Sequence, residues 1–184
     1  MAQATLETDR LILRPVHMSD APDLQRHFAH WEVIQHLSTQ VPWPYPNDGV
    51  EHWLRTLILP GMAQGNLMVW AIVLRENPGE AIGILEYRCA PGTTDDRGFW
   101  IARPHQGRGY MTEAVFAFQD HVFFTLGIEE LTVHNARVNT RSRRIKEKTG
   151  ARFVGLVELP HHNGHSETER WIVTRERWAE IRGR

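Results

Sequence analysis

The segment Gln106-Gly107-Arg108-Gly109 separates the apolar run Gly98 to Ala102 from a long amphipathic stretch that begins at Tyr110. Two glycines one residue apart, followed by helix-forming residues, leave backbone amides free to point at an anion from a helix N-terminus. Beyond them Met111, Val115, Phe118, Val122 and Leu126 recur at spacings of three and four, which predicts a helix that Gly127 can end. Glu130 to Asn135, "ELTVHN", then reads as a strand. A strand, a glycine turn, a helix and a second strand imply a right-handed crossover between parallel neighbours, with the turn lying at the crossover.

The remaining sequence extends this pattern. "RLILRPV" is a short strand, and "SDAPDLQRHFAHW" a helix capped by Ser19 or Asp20. The Pro-rich "VPWPYPND" precedes a second helix, roughly 48 to 63, with Val50, Trp53, Leu54, Leu57 and Ile58 on one side. From Leu67 the period changes. "LMVWAIVL", "AIGILEYR" and "RGFWIA" are apolar runs separated by "RENPGE" and "APGTTDD", so an antiparallel meander is expected. A helix at about 140 to 149 stops at Gly150, and "ARFVGLVEL" and "ETERWIVT" form a strand pair around the turn-forming Asn163-Gly164. "RERWAEIR" closes as a last helical turn or two. The fold class is mixed α/β.

Composition narrows the function. The chain has 184 residues, 41% of them hydrophobic, with no repeat and no Gly/Ser linker, so a single domain over 1–184 is expected. With 21 basic against 22 acidic residues it lacks the positive field that would gather nucleic acid or an anionic membrane. Cys89 has no second cysteine to pair with, which fits a reducing cytoplasm. Charges stand where a signal peptide would be apolar, and no apolar run is long enough to span a membrane.

Three ligand classes use a glycine turn of this kind. A Walker loop needs a lysine and a hydroxyl after its last glycine, and neither Gly107 nor Gly109 precedes a lysine. A dinucleotide fingerprint needs a third glycine where Thr112 stands, and belongs to a first strand-helix unit rather than one past mid-chain. The third class, the pyrophosphate turn Q/R-x-x-G-x-G/A of acyl-coenzyme A-dependent N-acyltransferases, is matched at Gln106 and Gly109, with Met111 replacing the last small residue. "TDRLILRP", "GFWIARPHQGRGYMTEA" and "NTRSRRIKEKTGARFVG" together resemble the GNAT superfamily. Within it they are most similar to the RimJ/RimL-like branch of ribosomal-protein N-terminal acetyltransferases, and with the element order they cover almost the whole chain.

The resemblance implies a GNAT-like, mostly antiparallel sheet with a splayed parallel strand pair, helices on both faces, and a cytoplasmic enzyme that transfers an acetyl group from acetyl-coenzyme A to a primary amine by direct attack. It implies that Phe99 and Ile101 lie along the pantetheine arm, and that amides from Gln106, Gly107, Arg108, Gly109, Tyr110 and Met111, with the Thr112 hydroxyl, bind the pyrophosphate. Asn139 matches the position that bonds the arm, and Ser142 one proposed to protonate the departing thiolate; either could instead act as a helix cap. A base for the amine is sought at His134 or Asp96, with Asp95 and Glu86 as further candidates, since the branch often has glutamate near Asp96. No metal is implied. The acceptor is a protein N-terminus or a small-molecule amine, and the state monomer or homodimer. A non-catalytic acyl-coenzyme A-binding module and a nucleotide-binding enzyme are the rival readings.

Other clusters receive plainer readings. Arg137, Arg141, Arg143, Arg144, Lys146 and Lys148 read as a solvated helix face, with one or two near the ribose phosphate. His161, His162 and His165 form a poor structural metal set, and an acceptor-side or solvent role is preferred. Trp31, Trp53 and "WPYP" could wall the acceptor site or pack helix on helix. Cys89, outside the motif frame, reads as a small residue at a strand end.

Overall fold

Both faces of the central meander are covered, which explains why its strands read as unbroken apolar runs. The structure is a computed structural model describing residues 3–184; the first two residues of the expected 1–184 domain lie outside the described residues. Strand β1 (Leu6–Glu7) pairs with β2 (Leu11–Pro15), a short hairpin absent from the sequence expectation. Next come α1 (Ala21–Phe28), α2 (Trp31–Ile34) and a helical segment running from α3 (Gly49–Trp53) through a π-helical turn (Leu54–Ile58) into α4 (Leu59–Ala63). The meander is β3 (Leu67–Leu74), β4 (Asn77–Arg88) and β5 (Arg97–Ile101). Then follow α5 (Tyr110–Asp120), which continues as a π-helical turn over His121–Thr125, β6 (Glu130–Ala136), α6 (Thr140–Lys148), β7 (Arg152–Glu158), β8 (Glu167–Thr174) and α7 (Arg175–Arg182).

The strands divide into two sheets, β1-β2-β3-β4-β5 and β6-β8-β7, and every ladder within them is antiparallel. The expected splayed pair is β5 with β6. They meet at one backbone bond, Asp96 N–H to the Thr132 carbonyl at 2.8 Å, and then diverge.

Alternation along β3 sends Trp70 and Ile72 to one face and Val69 and Ala71 to the other. The first face packs on Met111, Val115, Phe118 and Val122, the stripe read from sequence, and on Trp171 and Trp178. The second packs on Leu24 and Phe28 of α1 and on Val50, Leu54 and Ile58. Burial of each large apolar side chain contributes about 1.5–3 kcal/mol, so the α5 stripe alone fixes that helix against the sheet.

Three local expectations are corrected. Leu57 points outward with 55% of its surface exposed, because the π-helical turn shifts the helical phase after Trp53. Asp20 does not cap α1 through its side chain; its carboxylate turns back to the Arg14 guanidinium (2.6 and 2.9 Å) and accepts the His17 amide, closing the short 3-10 turn (Met18–Asp20) that precedes α1. The "RENPGE" turn is shorter than expected, since Asn77 to Glu80 already belong to β4.

Candidate active site

A cleft of about 700 Å³ opens where β5 and β6 separate. Phe99, Trp100 and Ile101 line one side, Gln106, Gly107 and Gly109 to Thr112 its floor, and Asn139, Ser142 and Ile145 the other side. The resemblance-derived coenzyme residues are thus brought together, apart from Arg108, whose side chain lies outside the lining.

The turn has the geometry its glycines suggest. Gly107 and Gly109 adopt φ of 76° and 82°, in the left-handed region where other residues are strained. The Gln106 amide bonds the Arg103 carbonyl and the Glu113 amide bonds the Gly109 carbonyl; amides 107 to 112 have no acceptor among the described residues. The cradle therefore starts one residue later than expected, at Gly107. Gln106 contributes its side chain instead, donating from Nε2 to the Ile101 carbonyl at 3.1 Å and accepting from Arg141 at 2.6 Å, so that it ties β5 to α6. Six free amides at the start of an eleven-residue helix form a polar, positively biased cradle suited to a pyrophosphate, and Arg141, Arg144 and Lys148 stand around it.

A clamp from the N-terminal hairpin holds this turn. Glu113, in the first turn of α5, accepts from Thr8 Oγ1 (2.6 Å), the Arg10 amide (2.9 Å) and Arg10 Nε (2.7 Å). Arg10 also donates to the Arg108 carbonyl at 3.0 Å and lies 4.5 Å above the Tyr110 ring. Burial raises the Glu113 carboxyl, but the Thr8 and Arg10 hydrogen bonds outweigh it and hold the group below its ordinary 4.5. The sequence motif "TDRLILRP" thereby acquires a physical role.

Asn139 caps α6, its Oδ1 accepting the Ser142 amide at 3.2 Å. The capping alternative for Asn139 is realised, and the residue still lines the cleft. Ser142 keeps its hydroxyl for another partner, Lys146 Nζ at 3.0 Å. Buried Glu169 on β8 braces the loop from behind by accepting from Asn135 Nδ2 at 3.0 Å and pairing with Arg143.

His134 and Asp96 are not brought to the cleft. The Asp96 carboxylate accepts the Thr132 amide at 2.5 Å, completing the staple between the sheets, and burial pushes the group upward. Asp95 accepts the His134 amide at 3.2 Å and stands 3.4 Å from its Nδ1. Burial raises the Asp95 carboxyl, but neighbouring His134 and Arg88 outweigh it and the group titrates low. Glu86 pairs with Arg88. The cause of the displacement is the splay itself: residues at the start of β5 and the middle of β6 sit where the strands are still joined, whereas the cleft opens at their far ends.

Sequence reasoning did not single out the residues at the other end of the cleft. Val33, Gln35, His36 and Leu37, from α2 and the loop after it, reach the cleft. That loop is stitched to the β7–β8 connection by Thr39 N–H to the Pro160 carbonyl (3.1 Å), Asn163 N–H to the Gln35 carbonyl (3.1 Å), and Asn163 Nδ2 to His36 Nδ1 (3.1 Å). His161 bonds Thr168 Oγ1 at 2.8 Å and His162 the Val41 carbonyl, so the histidine cluster is a clasp. No group of three metal-ligating side chains occurs among the described residues. Trp31 and Trp43 meet in a tilted contact with ring centres 5.3 Å apart, outside the cleft lining, and Trp53 packs against the second core. No helix among the described residues is long and apolar enough to cross a membrane.

The family model for the Acetyltransferase (GNAT) domain matches residues 10–152, more than half of the chain. The chain belongs to the GNAT family. This GNAT protein is 23% identical over 155 residues to the uncharacterized N-acetyltransferase p20 of Bacillus licheniformis, covering 83% of this chain and 85% of that one. Its fold matches RimL, the ribosomal L7/L12 α-N-protein acetyltransferase in complex with coenzyme A, at TM-score 0.77 and 17% identity, over 93% and 98% of the two chains. It also matches spermidine N-acetyltransferase from Vibrio cholerae with coenzyme A and spermine, at TM-score 0.76 and 15% identity, over 93% and 99%. The family match supports an acyl-coenzyme A-dependent acetyltransferase over the non-catalytic alternative, and the two solved structures share its fold.

Proposed function

We propose that this enzyme acetylates an amine of low basicity, a peptide or protein N-terminal α-amine, in preference to a polyamine or lysine side chain. The carrying observation is the charge of the cleft. Its one acidic lining residue among the described residues is Glu32, which is held by Arg103 at 2.9 Å, so no unpaired carboxylate lines the cleft to receive an acceptor cation. A polyamine needs several carboxylates to receive its cations, and a lysine amine, with a pKa of about 10.4, needs a base to become nucleophilic. An α-amine, at about 7.7–8.0, is already substantially neutral at physiological pH and can lose its proton to water.

In this reading amides 107 to 112 and the Thr112 hydroxyl hold the pyrophosphate, Phe99, Ile101 and Asn139 flank the pantetheine arm, and Ser142 donates a hydrogen bond to sulfur as the thiolate departs. His36 orients the acceptor. Asn163 Oδ1 accepts the His165 amide at 3.1 Å, so its Nδ2 faces His36 Nδ1 and leaves the His36 proton on Nε2. Burial, followed by His161 and Arg141, holds the ring below its ordinary 6.5, hence neutral near pH 7. His134 and Asp96 serve as structural staples. A reducing cytoplasm is supported by the lone Cys89, which burial makes a weaker acid.

The test is coenzyme thiol release with three acceptor classes: peptides with a free N-terminus, the same peptides N-capped but bearing lysine, and spermidine. Turnover is expected on the first class, with kcat/KM levelling off above the α-amine pKa. Faster turnover of spermidine or the capped lysine peptide would refute the assignment.

A further inference from the structure

Directly behind the cleft wall lies a polar cluster in what is otherwise apolar core. Strand β5 sends Arg97, Phe99 and Ile101 to the α5 side, and the strand period calls for an apolar residue at Arg97, which is 3% exposed. On α6, Ser142, Ile145, Lys146 and Thr149 face inward, which puts Lys146 on the apolar stripe at 1% exposure. The helix-face reading of the basic run fails at this one residue. Arg97 donates to Gln119 at 3.0 Å and Gln119 to the Thr149 carbonyl at 3.1 Å, while Arg97 Nε and Nη2 have no protein acceptor. Lys146 Nζ lies 5.7 Å from the Phe99 ring centre and 3.0 Å from Ser142 Oγ. Both Phe99 and Ser142 line the cleft.

A buried lysine is costly, and an apolar side chain of similar size would stabilise the fold at least as well. Lys146 therefore calls for a reason other than stability. Resting on the assignment of Ser142 to the departing sulfur, we infer that Lys146 is its positioning partner and proton reservoir. With Nζ donating to Oγ, the Ser142 hydroxyl hydrogen is turned away from Lys146 and freed to face the cleft, and the bond polarises the hydroxyl into a stronger donor. As the thioester C–S bond breaks with its electron pair going to sulfur, the Oγ–H proton passes to sulfur and an Nζ–H proton passes to Oγ. Serine is regenerated and Lys146 is left as a neutral amine, which regains its proton from solvent by the reverse route once the thiol has left. Burial, reinforced by Arg97 and opposed by Asp95, holds the lysine well below its ordinary 10.5, which makes it a readier proton donor than a solvated lysine.

A test without acceptor separates this inference from the reading beneath it. Free coenzyme A is bound to the protein and its thiol titrated by the ultraviolet thiolate band, with affinity for desulfo-coenzyme A as a control for an intact cleft. In the wild type the bound thiol titrates about one pH unit below the free one, a tenfold gain in thiolate. Lys146→Met and Ser142→Ala each abolish that shift, and the double variant adds nothing further. Lys146→Met keeps or raises the thermal midpoint, the reverse of what a structural lysine would do; Lys146→Gln serves should the methionine variant not fold. A shift that survives both Lys146 variants but not Ser142→Ala overturns the role of Lys146 and leaves that of Ser142. A wild-type thiol that titrates as in free solution overturns both.

Discussion

The two ends of the cleft are built by different means. The end we assign to the coenzyme consists of backbone: amides 107 to 112 aligned by two left-handed glycines and held by Thr8, Arg10 and Glu113. The end we assign to the acceptor consists of side chains from segments more than a hundred residues apart, joined by the His36–Asn163 contact and a few strand-like hydrogen bonds. Backbone geometry is written in a contiguous motif and tolerates little change. A site assembled from side chains can be altered residue by residue, and shape there sets which amine enters.

The largest expected effect falls on the coenzyme end. Gly109→Val forces a β-branched residue into the left-handed region, at about 1–2 kcal/mol or more, and tilts the cradle amides. Acetyl-coenzyme A affinity by calorimetry should fall at least about a hundredfold; a Kd within twofold of wild type would break the contrast at its root. Ser142→Ala should lower kcat about thirtyfold, the value of one charge-assisted hydrogen bond, with coenzyme Kd unchanged.

Glu113→Gln probes the clamp. It should lower the thermal midpoint by a few degrees near pH 7, corresponding to about 1 kcal/mol. Because the folded carboxyl lies below its ordinary 4.5, the wild-type stabilisation is complete above that pH and is lost as pH falls through the lower folded value. The gap between variant and wild type should therefore close in acid, and a gap that widens there would refute the role of Glu113.

At the acceptor end, His36→Gln should raise the acceptor KM about fivefold, equivalent to about 1 kcal/mol. It should leave coenzyme affinity untouched; a matching loss of coenzyme binding would show the two ends to be one site energetically. The smallest effect belongs to Leu57→Ser, within about 0.5 kcal/mol of wild-type stability by denaturant melt, because that side chain faces solvent.

The α5 stripe, the meander and the glycine turn were legible because each rests on local periodicity or on a backbone conformation that few residues permit. Leu57 was misjudged because a π-helical turn changes phase without a sequence signature. His134 and Asp96 were sought at the cleft since both lie on the splayed strands, and the sequence carries no mark of where the splay begins. Lys146 was hidden by its neighbours: among six basic residues between 137 and 148, it alone is fully buried. A count of helical turns from Ser142, which lies four residues before it on the same face, was the available signal.

By itself, then, the sequence determined the order of elements, the crossover around Gly107 and Gly109, and the family, since these follow from period, chirality and left-handed backbone that neighbours along the chain dictate. Tertiary structure alone decided which polar groups face the cleft, which are staples behind it, and that a lysine lies beneath Ser142. Burial and partnership depend on contacts between segments far apart in sequence, and no local pattern encodes the distance between two such side chains.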